Sequence, residues 1–154
     1  MYKEKIDTDK LPQHVAITMD GNGRWAKSKG KFRVFGHQSG VKAVRDTVEG
    51  AAEIGLKYIT LYAFSTENWN RPKTEVSALM TLLTGTLRKE IKTLNKNNVR
   101  FSTIGDISKL PKKAQKEIAE SIDFTQKNTG LNLILALNYG GKQEIINATK
   151  LLAT

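Results

Sequence analysis

Cysteine is absent from this 154-residue chain. That removes disulfide frameworks, thiolate metal sites and cysteine nucleophiles in one step. Proline occurs 3 times, and there is no Pro/Gly/Ser-rich linker, low-complexity tract or internal repeat. Hydrophobic residues at 39% and charged residues at 26% describe a globular rather than a disordered or fibrous chain. No apolar run reaches the roughly 18 residues that a spanning helix needs. Residues 1–10 are charged and lack the apolar stretch of a signal peptide. The expectation is a soluble, cytoplasmic protein. Acid is in short supply: 15 Asp plus Glu face 25 Lys plus Arg, a net charge of +10 at pH 7. Such an excess points to an anionic partner, whether nucleic acid, an anionic membrane surface or a phosphorylated small molecule.

The length suits one domain with a real core. A polar lead occupies residues 1–12, and a single α/β domain is expected over 13–154. HVAITM (14–19) has the pattern of a short buried strand, and YITLYAF (58–64) is β-branched and aromatic, hence a second. Residues 99–104 and LNLILAL (131–137) predict two more strands. Helical spacing links Val41, Val44, Val48 and Ala52, with Ser39 as a candidate cap and Gly55 as the stop. A long helix after Thr74 carries Val76, Leu79, Met80, Leu83, Leu87, Ile91 and Leu94. Pro111 opens another, with Ala114, Ile118 and Ile122 inward and Gly130 as its end, and residues 142–152 form the last. Strand and helix in alternation predict an α/β fold: a parallel β-sheet with helices on both faces. The chain stops at its last helix without a closing strand, so the domain is expected to be incomplete at its C-terminus.

Ligands of parallel sheets bind beyond the carboxyl ends of the strands. Three segments leave those ends: Asp20-Gly21-Asn22-Gly23-Arg24-Trp25, Ser65-Thr66-Glu67-Asn68-Trp69-Asn70-Arg71-Pro72, and Asn138-Tyr139-Gly140-Gly141. In the first, glycines permit close backbone approach and a following helix offers free N–H groups to an anion. Asp20 accepts hydrogen bonds only, so it suits Mg²⁺ better than direct phosphate contact. No acidic residue follows from position 21 to 45, whereas Arg24, Lys27, Lys29, Lys31, Arg33, Lys42 and Arg45 are basic. That pattern reads either as metal-bridged diphosphate binding or as a tight turn before a solvated basic face.

The second segment groups Ser65, Glu67, Asn68 and Arg71 beside Trp69, and His37 lies between Gly36 and Gly40. Plain turn formers would account for Asn, Pro and Ser. A tryptophan beside Arg and Asn at a strand end instead favours a site, where His37 could donate or shuttle a proton. Gly21-x-Gly23-x-x-Ala26 meets the relaxed dinucleotide fingerprint, but the second strand ends in Ser65 rather than an acid. A phosphate-binding P-loop fails on spacing, and Phe32 stands where Ser or Thr is required.

HVAITMDGNGRWAKSKGKFRVFGHQSG, LYAFSTENWNRPKTEVSALM and NTGLNLILALNYGG closely resemble the cis-prenyltransferases of the bacterial undecaprenyl diphosphate synthase type, from about Leu11 onward. The resemblance implies that fold and a Mg²⁺-dependent transferase. Such an enzyme adds isopentenyl diphosphate units to farnesyl diphosphate with cis double bonds, making the undecaprenyl lipid carrier of cell-wall peptidoglycan synthesis. It implies that Asp20 is the essential carboxylate at metal and diphosphate. Gly21, Asn22, Gly23 and Arg24 would form the allylic diphosphate cradle, with Arg33 and His37 assisting, and Trp25 would be a further substrate-binding residue. Ser65, Thr66, Glu67, Trp69 and Arg71 match the second substrate-binding block, and Asn68 the position assigned as proton acceptor. An apolar channel for the growing chain is expected among Val41, Val44, Val48, Leu79, Leu82, Leu83 and Leu87, some of them core and a few channel.

The family pattern runs on past residue 154, with further strands, two arginines, a serine and a glutamate, and much of a homodimer contact. The implied condensation is therefore expected to be absent or very low in these residues alone. Peripheral membrane contact through a lipid product is a further expectation. Two other readings stay open: a basic nucleic-acid-binding domain, disfavoured because Trp25 and Trp69 sit in strand-end loops, and a non-catalytic partner subunit of a full-length prenyltransferase.

Overall fold

Strands and helices alternate through the computed structural model, which describes residues 2–153. They run β1 (His14–Thr18), α1 (Asn22–Ser28), α2 (Arg33–Glu53), β2 (Tyr58–Ser65), α3 (Lys73–Lys96), β3 (Arg100–Ile104), α4 (Lys112–Thr125), β4 (Asn132–Tyr139) and α5 (Gly141–Leu152). All four strands are parallel, in the order β1-β2-β4-β3. The expected parallel sheet with helices is therefore present. Parallel neighbours place every strand-to-helix turn on one edge, which is why the three polar segments share a side of the molecule.

Register explains the core. Val15 lies opposite Ile59, Ile59 opposite Leu133, and Leu133 opposite Phe101. Side chains alternate faces along a strand, so this row and its i+2 neighbours present one apolar surface. Onto it pack Val48 and Ala51 of α2, Val76, Met80 and Leu87 of α3, and Ala114 and Ile118 of α4. Cover on the two faces is unequal: in the other row His14, Ala16, Thr18, Tyr58, Tyr62 and Ile104 are exposed. Helix α5 likewise leaves Ile145, Ile146, Leu151 and Leu152 exposed.

An irregularity in β2 after Tyr62 shifts the pairing, so that Phe64 lies opposite Leu137 and Ser65 opposite Tyr139. Such a bulge re-aims side chains at a strand end. Here it buries Phe64 under the candidate site. The edge strand β3 would leave backbone groups unpaired on its outer side. Thr125, fully buried at the end of α4, accepts the Phe101 N–H at 3.1 Å, and Asn128 Nδ2 donates to the Val99 carbonyl at 2.8 Å.

Helix α2 begins at Arg33, seven residues before the expected start, and Ser39 is not its cap. The Ser39 hydroxyl instead donates to the Phe35 carbonyl at 3.0 Å, one turn back inside the helix. Gly36 and Gly40, which argue against helix on propensity, are where α1 crosses. A Cβ on Gly36 would stand 2.0 Å from the Asn22 carbonyl oxygen, and one on Gly40 would stand 2.9 Å from Asn22 Nδ2. Close packing overrides propensity here. β4 also runs two residues beyond the expected end, through Asn138 and Tyr139, because Ser65 of β2 continues the pairing. Helix α4 stops at Thr125 rather than at Gly130.

Two substitutions test this account. Thr125→Val keeps the shape but orphans the buried Phe101 N–H, and should lower the unfolding free energy by about 1–3 kcal/mol in urea titration, with Thr125→Ser closer to wild type. Gly36→Ala must push α1 off α2, with an overpacking cost of about 1–3 kcal/mol or more.

Candidate functional site

Asp20 leaves β1 directly. Gly21 then takes a left-handed conformation (φ +90°), which L side chains rarely adopt, and turns the chain so that α1 starts at Asn22. One Asp20 oxygen accepts the Gly21 N–H at 2.5 Å, and the other accepts the Arg24 guanidinium at 2.9 Å. The Gly21 hydrogen bond first, and then the Arg24 charge, hold its carboxyl below the usual carboxylate range. Its side chain is 73% exposed, so the site presents an ionised carboxylate to solvent.

The second segment forms a short 3-10 turn, residues Thr66–Asn70, closed by a capping box. Asn68 Oδ1 accepts the Ser65 N–H at 3.3 Å while the Ser65 hydroxyl accepts the Asn68 backbone N–H. Trp69 donates from Nε1 to Asn138 Oδ1 at 2.7 Å and meets Phe64 edge-on, with ring centres 5.0 Å apart. Asn138 is buried in a left-handed conformation (φ 49°) and donates from Nδ2 to the Asp106 carbonyl at 2.8 Å. Gly140 passes so close to Thr66 that a Cβ would stand 2.4 Å from its hydroxyl. The third segment thus braces the second.

Glu75, on the first turn of α3, gathers the cations. Its Oε1 accepts Arg71 at 2.9 Å and lies 3.5 Å from Arg33 Nε and 3.6 Å from His37 Nε2. Arg33 in turn lies over Gly23, where a Cβ would stand 3.0 Å from its Nε. The His37 separation is too long for a hydrogen bond. His37 Nε2 is therefore buried with no hydrogen-bond partner among the described residues. Burial first, and then the Arg71 charge, push the imidazole below its ordinary value, against the opposing pull of Glu75.

A cavity of about 180 Å³ lies between α2, α3 and the sheet. Its polar end is formed by Asn22, His37, Asn68 and Arg71. Its remaining wall is mostly apolar and includes Val41, Val44, Phe64, Leu79, Leu83 and Leu137. A larger cleft of about 980 Å³ between α2 and α3 shares His37, Val41, Leu79 and Leu82 with it. Of the expected channel residues, Val41, Val44, Leu79, Leu82 and Leu83 line the cavity. Val48 and Leu87 are buried in the core instead.

The expected site residues thus separate into groups. Asn22, His37, Asn68 and Arg71 meet at the cavity, and Gly23 and Arg33 join them through Glu75. Asp20 sits between the lining residues Met19 and Asn22 and feels the Arg71 charge, with Gly21 and Arg24 beside it. Ser65, Thr66, Glu67 and Trp69 do not line the cavity; Ser65 and Trp69 hold the turn, and Glu67 is exposed. Trp25 stacks on Phe35, ring centres 6.1 Å apart. Glu75 was not among the expected residues. Its signals in the sequence were its position four residues after Arg71 and its isolation, as the single acid between Glu67 and Glu90.

Among the described residues no group of three or more His, Asp or Glu is placed to hold a metal. One exposed carboxylate beside an anion-ready helix start fits Mg²⁺ shared with a diphosphate, since that ion is commonly held by one or two carboxylates plus substrate phosphates. It does not fit a metal caged by protein alone.

Comparison with known proteins gives the family of the chain. Residues 18–154 match the family profile Prenyltransf, described as "Putative undecaprenyl diphosphate synthase". An isoprenyl transferase of Clostridium tetani is 55% identical over 97% of this chain and 59% of its own length. A ditrans,polycis-undecaprenyl-diphosphate synthase ((2E,6E)-farnesyl-diphosphate specific) of Pasteurella multocida is 52% identical over 97% of this chain and 62% of its own. The crystal structure of lavandulyl diphosphate synthase from Lavandula x intermedia, in complex with dimethylallyl diphosphate, superposes with a TM-score of 0.89 at 40% identity, covering 92% of this chain and 61% of that one. The chain spans about three fifths of the length of these proteins. With a match over most of its residues and the same parallel fold, the chain belongs to the Prenyltransf family, the cis-prenyltransferases.

Proposed function

We propose that the site holds an allylic diphosphate such as farnesyl diphosphate, head at Asp20 and α1, tail in the α2–α3 cavity, for cis-condensation with isopentenyl diphosphate towards undecaprenyl diphosphate. The carrying observation is the cavity itself: a polar end of Asn22, His37, Asn68 and Arg71 on an apolar bore matches a charged head on a hydrocarbon tail. The diphosphate complex of the lavandulyl diphosphate synthase supports the same class of ligand. The proposal extends to Mg²⁺, cytoplasmic location, service to cell-wall lipid synthesis and the homodimer of the longer relatives. Among the described residues no helix is long and apolar enough to cross a membrane.

In the reaction the bond between the allylic carbon and diphosphate oxygen breaks, the isopentenyl double bond attacks that carbon, and a proton leaves isopentenyl C2. Negative charge grows on the departing diphosphate, where Arg24, Arg71 and the free N–H groups of α1 stabilise it. Asp20 would hold Mg²⁺, which supplies further charge neutralisation when bound. Asn68 is a poor base because an amide is only very weakly basic, and its carbonyl oxygen already accepts the Ser65 N–H. Its Nδ2 donors suit a phosphate oxygen, which positions the base rather than being it. Neutral His37, with its unpartnered Nε2 at the cavity, is the chain's own group able to take or relay a proton.

Calorimetric titration with farnesyl diphosphate and Mg²⁺ tests the head site. Loss of one charge-assisted contact in Asp20→Ala or Glu75→Gln should weaken binding about 10-fold or more, and EDTA should act in the same direction on wild type. Wild type that ignores farnesyl diphosphate in both states would end the proposal. Asn68→Ala should lower turnover in a condensation assay of the longer relatives; unchanged turnover there removes Asn68 from the proton path.

The lowered His37 value also has a sign. Unfolded histidine takes its proton at a higher pH than folded His37, so the unfolded state binds more protons in that window and stability falls as pH drops. Unfolding free energy of wild type should decline from about pH 7 to pH 5 more steeply than that of His37→Gln. Parallel curves would show that His37 is not held neutral.

A further inference from the structure

The corner between α1 and α2 carries a surface that the cavity does not use. Phe32 caps α2 at 89% exposure, the highest of any large apolar side chain in the sheet-and-helix body before α5. Trp25 and Phe35 lie close by, both exposed and stacked nearly parallel at 9°. Lys31 Nζ sits 3.8 Å from the centre of the Phe35 ring. Lys27 and Lys29 are exposed and have no ion-pair partner among the described residues, because Asp20 is taken by Arg24 and Glu75 by Arg33, Arg71 and His37. Unpaired cations and bare aromatic rings share one small corner.

We propose that this corner docks on an anionic lipid bilayer. Phe32 and the edge of Trp25 enter the interfacial layer, and Lys27, Lys29 and Lys31 meet headgroup phosphates while their stems lie along the rings. Charge complementarity selects the partner: no carboxylate occurs from position 21 to 45, and each basic residue near an anionic surface adds roughly fivefold in affinity. The aromatic geometry separates lipid from nucleic acid. Base stacking needs free ring faces. Trp25 and Phe35 each spend one face on the other and Phe35 carries Lys31 as well, so few free faces remain for bases, while ring edges and the projecting Phe32 suit insertion. A groove of about 490 Å³ lined by Lys27, Lys31, Phe32 and Arg33 leads from this corner to Glu75, so docking would set the lipid layer beside the proposed head site. The surface needs no reaction at that site, and a chain inactive in condensation would dock equally.

Sedimentation of the purified chain with vesicles of equal parts phosphatidylglycerol and phosphatidylcholine, against phosphatidylcholine alone, decides the matter. Wild type should partition onto the anionic vesicles only, with weaker binding at high salt. Lys29→Ala and Lys31→Ala should each lose about fivefold. Phe32→Ser should lose several-fold and reduce quenching of tryptophan emission by brominated lipid, while farnesyl diphosphate binding stays unchanged. The double substitution Lys89→Ala with Lys92→Ala on α3 removes twice the charge of either corner substitution and should still cost less than either corner lysine. Equal loss from the α3 pair, no preference for anionic vesicles, or binding to single-stranded RNA without vesicle binding would each overturn the proposal.

Discussion

Glu75 is the charge on which the candidate site depends. Arg33 and His37 lie one turn apart on α2 and Arg71 arrives from the second segment, and three cationic or potentially cationic groups beside one cavity would otherwise repel each other. A single, largely buried carboxylate holds them within hydrogen-bond or ion-pair distance and leaves their outer donors for an anion. It also biases His37 towards the protonated state, yet burial and the Arg71 charge outweigh it. A neutral imidazole in a strongly basic mouth is the consequence.

The scaffold around that carboxylate is built from close approaches rather than from large side chains. Gly36 and Gly40 let the α1 backbone lie on α2, which places Asn22 at the cavity and Asp20 at its rim. Trp69 spends its one donor on Asn138, and Asn138 spends its amide on Asp106, so the second and third segments are tied together by satisfied polar groups. Residues that resemble ligands in a linear reading therefore divide into those that face the cavity and those that hold the turn. Ser65, Thr66 and Trp69 belong to the second kind in this chain.

Unequal cover of the sheet has a similar logic. One apolar row meets α2, α3 and α4 and is largely buried, whereas the alternate row ends in exposed Tyr58, Tyr62 and Ile104. Alternation along a strand makes the two faces chemically independent, so one can be a finished core while the other is open. The same separation operates at the α1–α2 corner, where Trp25, Lys31 and Phe35 meet one another and none of them lines the cavity.

What the amino-acid order determined by itself was local. Hydrophobic period set the strands and most helices, the polar segments at strand ends marked one edge, and the DGNGRWA and STENWNRP blocks pointed to the family. These features are short in sequence, so propensity and spacing carry them. Glu75 as the shared counter-ion, Asn138 as the partner of Trp69, and Gly36 as a contact rather than a helix break belong to the tertiary structure alone. Each depends on atoms far apart along the chain, including 69 residues between Trp69 and Asn138, and no periodicity encodes which distant groups a parallel sheet brings to one edge. The start of α2 shows the same limit in miniature: its first seven residues are helical where α1 packs, against the preference of Gly36 within them and Gly40 just after.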